Sequence, residues 1–161
     1  MSTIINRPTQ LQRYEPDFYA KLKAFVLPEN QAQFTALPED KLGHLTVGQH
    51  PVVILNHREP VGFFLLNETD RVKEYTDNPK AMLLTALSID YSKQGKGVAT
   101  AAMNQLKSFV NREFPECNEI VLAVNHKNIA AQHLYRKVGF NDTGRRKIGK
   151  KGEQFILRLL V

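Results

Sequence analysis

Hydrophobic positions recur with two different periods along this chain, and the changes of period divide it into elements. Apolar runs of strand length stand at residues 52–56 (VVILN), 61–66 (VGFFLL), 82–89 (MLLTALSI) and 119–124 (EIVLAV). Runs that short predict buried strands, and the HREP turn between the first two predicts a hairpin. Residues 9–13 (TQLQR) alternate weakly, as a short edge strand would. Helical spacing first appears at Phe18, Leu22 and Phe25, with Asp17 or a near neighbour placed to cap that helix and Pro28 to stop it. Residues 28–42 (PENQAQFTALPEDKL) read as one or two helical turns with loops, and residues 67–80 as a loop.

The second half is sharper. Val98, Ala99, Ala102, Met103, Leu106, Phe109 and Val110 form one stripe of period 3.6, which predicts a helix over 97–114 ended by Pro115. A shorter helix is predicted over 128–137, with Ala130, Ala131, Leu134, Tyr135 and Val138 on one face. Gly139 lies just past its end, where a terminating glycine belongs. Two last strands, near 140–147 and 153–160, flank the turn KKG. Strands outnumber helices, and strand–helix–strand crossovers occur only in this half. The pattern predicts a mixed α/β sheet with helices on both faces.

Composition narrows the class. The 161 residues, 42% hydrophobic and 24% charged, suffice for one domain with its own core, so 1–161 are read as a single domain. Collagen-like, disulfide-framework and strongly disordered classes are excluded. The single cysteine, Cys117, fits a reducing compartment. No apolar run approaches the roughly 20 residues of a membrane span, and the start MSTIINRPTQLQRYE has no apolar secretory h-region. A cytoplasmic location away from membranes is the expectation. The net charge of +6 is concentrated, since residues 141–161 hold 6 Lys+Arg against 2 Asp+Glu. Arg145, Arg146, Lys147, Lys150 and Lys151 there predict either a solvated hairpin tip or a site for a phosphate-rich ligand.

Chemistry concentrates in the turn after residues 82–89. Gln94-Gly95-Lys96-Gly97-Val98-Ala99 opens the predicted helix, and its two glycines let backbone N–H groups converge at a helix N-terminus, where phosphate binds. Lys96 adds a mobile positive charge. The plain alternative is an ordinary tight turn. G-x-x-x-x-G-K-[ST] is absent, so this is no P-loop. The dinucleotide fingerprint G-x-G-x-x-G/A is met at Gly95 and Gly97 but fails at Thr100, and here it follows two hairpin strands. A third signature, Q/R-x-x-G-x-G/A, is filled by Gln94, Gly97 and Ala99. It resembles that of the GNAT-type N-acetyltransferases. Residues 128–140 (NIAAQHLYRKVGF) are similar to the family's N-x-x-A-x-x-L-Y-x-K-x-G-F segment at every specified position. One helix and one strand separate the two motifs, as in the family. The resemblance is strong over 82–161, fair over 52–67 and weak over the N-terminal third.

That resemblance implies a GNAT-like acyl-CoA N-acyltransferase fold, an α+β arrangement. Its central sheet is mixed and mostly antiparallel, with a splayed parallel strand pair and helices on both faces. It implies acetyl-CoA as co-substrate and no metal. By resemblance, Leu87, Ser88 and Ile89 offer backbone groups to the pantetheine arm and N–H groups near them stabilise the oxyanion. Gln94, Gly95, Lys96, Gly97, Val98 and Ala99 hold the pyrophosphate, and Asn128 contacts the amide-bearing arm. No Gly or Pro in MLLTALSI marks where a splay begins. Tyr135 matches the tyrosine that in many members protonates the departing thiolate; its other reading is a half-buried tyrosine on a helix face. Homodimers are common in the family.

The implied acceptor is a small-molecule or peptide amine, with polyamine, amino-acid-like and aminoglycoside-like amines all open. Phe18, Phe25, Phe34 and nearby carboxylates are candidates to shape its pocket. A lysine-like amine near pKa 10.4 costs about 4.6 kcal/mol to deprotonate at pH 7. Glu29, Glu39, Asp40, Glu68, Asp70 and Glu74 read better as surface carboxylates, and none is assigned as base. Cys117 lacks a local base and reads as structural. The five histidines show neither H-E-x-x-H nor cysteine partnering, so no zinc site is implied. The rival class is a non-catalytic acyl-CoA-binding or nucleic-acid-binding module on the same fold. Tyr135 argues against that loss of catalysis, and the 141–161 charge is the one feature favouring nucleic acid.

Overall fold

The computed structural model describes residues 8–161; the leaderless reading of residues 1–7 lies outside them. The apolar runs become β2 (Gln49–Asn56), β3 (Glu59–Asn67), β4 (Ala81–Ile89) and β5 (Glu119–Asn125). The weakly alternating segment becomes β1 (Thr9–Arg13), and the two strands expected around the KKG turn become β6 (Asn141–Gly149) and β7 (Gly152–Leu160). All seven join one sheet in the order β1-β2-β3-β4-β5-β7-β6. Every neighbouring pair is antiparallel except β4 and β5, which run parallel. The expected mixed, mostly antiparallel sheet is therefore what the chain builds.

Side-chain alternation sorts the strands' residues between two faces. Val52, Ile54, Phe64 and Leu66 share one core with α4 (Val98–Asn104), α5 (Leu106–Glu113) and α6 (Ile129–Lys137). Val53, Leu55, Phe63 and Leu65 face the other way, against Leu22 and Phe25 of the N-terminal segment. A third cluster, with Val72, Tyr75, Leu83 and Val121, continues that second face. Each such large side chain removed from water contributes roughly 1.5–3 kcal/mol. Helices thus cover both faces, as the alternation of the strands requires. No helix among the described residues is long and apolar enough to cross a membrane.

Two helical expectations need correction. The helix predicted from Asp17 to Pro28 is only a 3-10 turn, Pro16–Phe18, running into α1 (Tyr19–Leu22). The cap position falls to a near neighbour of Asp17, Glu15, in extended conformation and without a side-chain capping bond, and Pro16 starts the turn. Ala24 and Phe25 bond back only three residues, and beyond Phe25 the backbone is claimed elsewhere. Val26 N–H donates to Asp90 Oδ1 at 3.0 Å, and Val26 C=O accepts from Tyr91 N–H at 3.0 Å. Those bonds tie the segment to the loop after β4. The long helix over 97–114 is divided at Gln105, whose N–H bonds back only three residues to Ala102 and whose amide donates to Thr9 C=O at 2.6 Å. The short turns of 28–42 form α2 (Glu29–Ala32) and α3 (Pro38–Leu42). The loop at 67–80 contains one 3-10 turn, Asp70–Glu74.

The central irregularity lies in β4. Its parallel pairing with β5 covers only Ala81↔Glu119, Met82↔Ile120 and Leu83↔Val121. On its other side, the register with β3 slips between Phe63 and Leu65, opposite Ala86 at φ +59°. This is a β-bulge, which bends the strand and increases its twist. A non-glycine residue there costs on the order of 1 kcal/mol, offset by surrounding packing. Asn67 secures the strand just before the bend. Its side-chain amide donates to Leu83 C=O at 2.8 Å and Thr85 Oγ1 at 3.0 Å, and its carbonyl accepts from Gln49 at 2.9 Å. Asn67→Leu leaves the buried Leu83 carbonyl and two partly buried side chains unmatched, the buried one alone costing roughly 1–3 kcal/mol. Urea denaturation of this variant is expected to register a loss of about 3 kcal/mol; a loss under 1 kcal/mol would mean that the network does not hold β4.

Candidate active site

Where β4 and β5 part, they enclose a cavity of about 1070 Å³ walled by residues 83–89 of β4 and 122–125 of β5. Strands that separate inside a sheet leave backbone groups without ladder partners. Asp90 N–H donates to Val61 C=O at 2.9 Å. Antiparallel alternation then makes Ser88 with Phe63 the next bonded pair and turns the N–H and C=O of Ile89 toward the gap. The Ile89 carbonyl accepts from Gln94 Nε2 at 2.8 Å, and the Leu87 carbonyl from Thr35 Oγ1 at 3.0 Å. The Ile89 N–H remains as a donor on the wall. Ser88 is 4% exposed, and its Oγ is the one buried side-chain polar atom without a partner among the described residues.

The glycine turn closes one end of the cavity. Gly95 and Gly97 have φ of +75° and +77°, and an added Cβ would meet nothing within 4 Å at either. Glycine is required there by the left-handed backbone, not by crowding within the fold. Among the described residues, the N–H groups of Gly95, Lys96 and Gly97 donate to no backbone acceptor. The first-turn N–H groups of α4 have no intrahelical acceptor either. Gly95, Gly97, Val98 and Ala99 line the cavity, whereas Lys96 is exposed and lies off the wall. Gln94 also lines it, but its amide is committed to Ile89 and to a reciprocal pair with Gln31, at 3.0 and 2.8 Å. It acts as a brace for the turn.

The second motif explains itself position by position. Asn128 caps α6 by accepting from Ala131 N–H at 3.2 Å, which leaves its NH₂ free at the cavity wall. Gln132 donates to the carbonyls of Asn125 and His126, both at 3.0 Å, and so docks α6 on the end of β5. At the far end, Gly139 N–H bonds Arg136 C=O and Phe140 N–H bonds Tyr135 C=O. With Gly139 at φ +107°, this is a Schellman ending, which explains the Gly-Phe pair. The Phe140 ring then meets Tyr135 edge-on at 5.4 Å between centroids. Tyr135 lines the cavity at 7% exposure, and burial pushes its phenol well above the ordinary value. It stays protonated throughout the physiological range.

Charge is distributed unevenly. Of the five basic residues in 145–151, Arg146 is bonded to Asp142 at 2.9 Å, Lys147 to Glu74 at 2.6 Å, and Arg145 lies 3.9 Å from Asp77. Lys147, Lys150 and Lys151 face the cavity. No Asp or Glu among the described residues lines it, so the carboxylates expected to shape an amine pocket are absent from its wall. Of Phe18, Phe25 and Phe34, only Phe34 reaches it. Cys117 is buried in the core, and burial raises its thiol pKa. No group of three or more His, Cys, Asp or Glu is placed to hold a metal among the described residues. Gln31, Thr35, Arg71 and Tyr75 also belong to this site. No local pattern announces them, because tertiary folding alone brings their segments here.

A family profile, the acetyltransferase (GNAT) family, matches residues 11–140. The uncharacterised N-acetyltransferase YbbJ of Bacillus subtilis (strain 168) is 47% identical over 150 residues, covering 91% of this chain and 94% of that protein. The fold is similar to aminoglycoside acetyltransferase AAC(6')-Ib in complex with coenzyme A and kanamycin, with a TM-score of 0.75 at 18% identity over 94% of both chains. It is also similar to spermidine N-acetyltransferase from Vibrio cholerae in complex with CoA and spermine, with a TM-score of 0.69 at 16% identity over 96% of both chains. At those identities the two structures speak to the fold, whereas the profile and the Bacillus relative speak to descent: the chain belongs to the GNAT family of N-acetyltransferases.

Proposed function

We propose that the single domain of residues 1–161 transfers the acetyl group of acetyl-CoA directly to a primary amine. The observation that carries this reading is the cavity at the β4–β5 parting, which the glycine turn, Asn128 and Tyr135 all line. The solved relatives that hold coenzyme A on this fold support the co-substrate. In this reading the turn at Gly95–Ala99 receives the pyrophosphate on converging N–H groups, with Gln94 bracing it and Lys96 acting only at long range. The free NH₂ of Asn128 and the backbone of 87–89 hold the arm. Ile89 N–H is positioned to stabilise the oxyanion.

In the reaction the amine nitrogen attacks the thioester carbon, the N–C bond forms, and the C–S bond breaks as the amine proton leaves. A phenol near pKa 10 gives its proton to a thiolate near 8.5 only uphill, by about 2 kcal/mol, and burial of Tyr135 steepens that. Tyr135 therefore donates a hydrogen bond to the departing sulfur, and solvent supplies the proton. With no carboxylate on the wall, the amine loses its proton to water, so kcat/KM is expected to rise with pH toward the amine's own pKa. Tyr135 adds no falling limb below pH 10, because its pKa is displaced upward. A profile falling between pH 8 and 10 would contradict the tyrosine's part.

Calorimetric titration with acetyl-CoA, with NADH as control, tests the ligand. Binding of the first alone is expected, and binding of NADH alone would overturn the assignment. Tyr135→Phe is expected to lower kcat tenfold or more with acetyl-CoA affinity unchanged, and an unchanged kcat would remove the hydroxyl from the chemistry. Gly97→Val forces a β-branched residue to φ +77° and places a side chain on the turn's open side. Loss of coenzyme binding by at least tenfold in a protein that still melts cooperatively is the expected result.

A further inference from the structure

The wall of the cavity carries six cationic side chains, Arg71, Lys93, Lys127, Lys147, Lys150 and Lys151, and no carboxylate among the described residues. They occupy different regions. Lys93 precedes the glycine turn, and Lys127 and Lys151 flank the end of β5, where Asn125 donates to Lys151 C=O at 3.1 Å. Arg71 and Lys147 meet at Tyr75. Arg71 Nη2 lies 3.4 Å from the Tyr75 hydroxyl, and Lys147 Nζ stands 5.0 Å from that ring's centroid. Tyr75 packs with Leu83 and Val121 on the face of the sheet turned away from α4, α5 and α6. The glycine turn leads into α4 on the opposite face.

The two cations are not equivalent. Lys147 is bonded to Glu74 at 2.6 Å, and Glu74 does not line the cavity. Arg71 makes no ion pair with any described carboxylate, and Glu74 is the nearby acid that its charge acts upon. A planar guanidinium that makes no ion pair and is held by Tyr75 alone, set beside a second cation on a cavity wall, suits a carboxylate in two-pronged geometry.

We propose that Arg71, seconded by Lys147, binds the carboxylate of the acceptor, so that the substrate is an amine bearing a carboxylate and not a polycation. This rests on the acetyl-transfer reading above and names its acceptor class. The sheet face matters to the argument. An anion held at Tyr75 is across the sheet from the turn assigned to the coenzyme's pyrophosphate, so it arrives with the acceptor. The surrounding positive charge also favours the neutral form of the amine, the form that attacks.

The test measures thiol release with acetyl-CoA and matched acceptors. These are the proteinogenic amino acids and γ-aminobutyrate, each against its carboxamide, an acidic tetrapeptide, spermidine and kanamycin. At least one carboxylate acceptor is expected to exceed its carboxamide at least tenfold in kcat/KM. Arg71→Gln is expected to erase that preference through KM, Arg71→Lys to restore part of it, and calorimetric acetyl-CoA affinity to stay unchanged in both. Preference for the tetrapeptide over free amino acids would identify a peptide as the carboxylate's source. Equal use of acid and carboxamide, better use of spermidine or kanamycin, or no acceptor at all despite acetyl-CoA binding would each overturn the proposal. So would weakened acetyl-CoA binding in Arg71→Gln, which would give Arg71 to the coenzyme. Failure of the wild-type protein to bind acetyl-CoA would instead overturn the transfer reading, and this inference with it.

Discussion

Two neighbouring strands that stop bonding in the middle of a sheet are the constraint on which this molecule turns. A parted ladder leaves carbonyls and amides without partners, and buried backbone groups rarely remain so. The chain answers with side chains from elsewhere in the sequence. Thr35 takes the Leu87 carbonyl, Gln94 takes that of Ile89, and Gln132 takes those of Asn125 and His126. Each of these bonds also docks an element. The N-terminal segment is anchored by Thr35 and by Gln31 on Gln94, and α6 is anchored by Gln132. The same bonds that keep the strands apart therefore bring the walls of the cavity to it, and the cavity cannot close without losing them.

The parts legible in the sequence are those decided by near neighbours. Four apolar runs became strands because their residues must be buried on both faces of a covered sheet. The segment 128–140 was legible almost in full, since Asn128, Gly139 and Phe140 act within one helix and its two ends. The parting of β4 was not. Ala86 carries no glycine or proline signal, and its positive φ follows from the β3 register and the helices packed around it. The N-terminal helix failed for a related reason. Phe18, Leu22 and Phe25 do face inward at helical spacing, but Asp90 and Tyr91 take the backbone of Val26 and pull the chain out of the helix. Arg71 and Tyr75 sit in a stretch that reads only as a polar loop, and their role depends on which strand edge that loop crosses.

Net charge illustrates the same division between composition and placement. The +6 of the chain and its basic C-terminal stretch suggest a surface for polyanions. In the fold, Arg145, Arg146 and Lys147 each stand near a carboxylate, and Arg146 also lies over the Phe155 ring at 4.3 Å. A continuous phosphate-binding face requires clustered unpaired cations, and three of the five are spoken for. What remains is directed into the cavity by Lys150 and Lys151 at the β6–β7 turn. The excess charge is thus a property of one concave site more than of the surface.

That placement bears on how one fold serves different acceptors. In the proposed reading the coenzyme half of the cavity is built by β4, the glycine turn and α6, which carry both family motifs. In the same reading the acceptor half is built by residues 28–35, the turn at 70–75 and the β6–β7 hairpin, which carry neither. Fold similarity to proteins that hold kanamycin or spermine therefore constrains the first half and leaves the second free to differ. Two unit charges of like sign about 6 Å apart repel by on the order of 3 kcal/mol at an effective dielectric of about 20. A polyamine seated beside Arg71, which makes no ion pair with a described carboxylate, would meet that repulsion, whereas an amino-carboxylate would bring its own counter-charge to it. On the acceptor assignment proposed above, this side of the cavity is electrostatically opposed to the polycations that its structural neighbours hold.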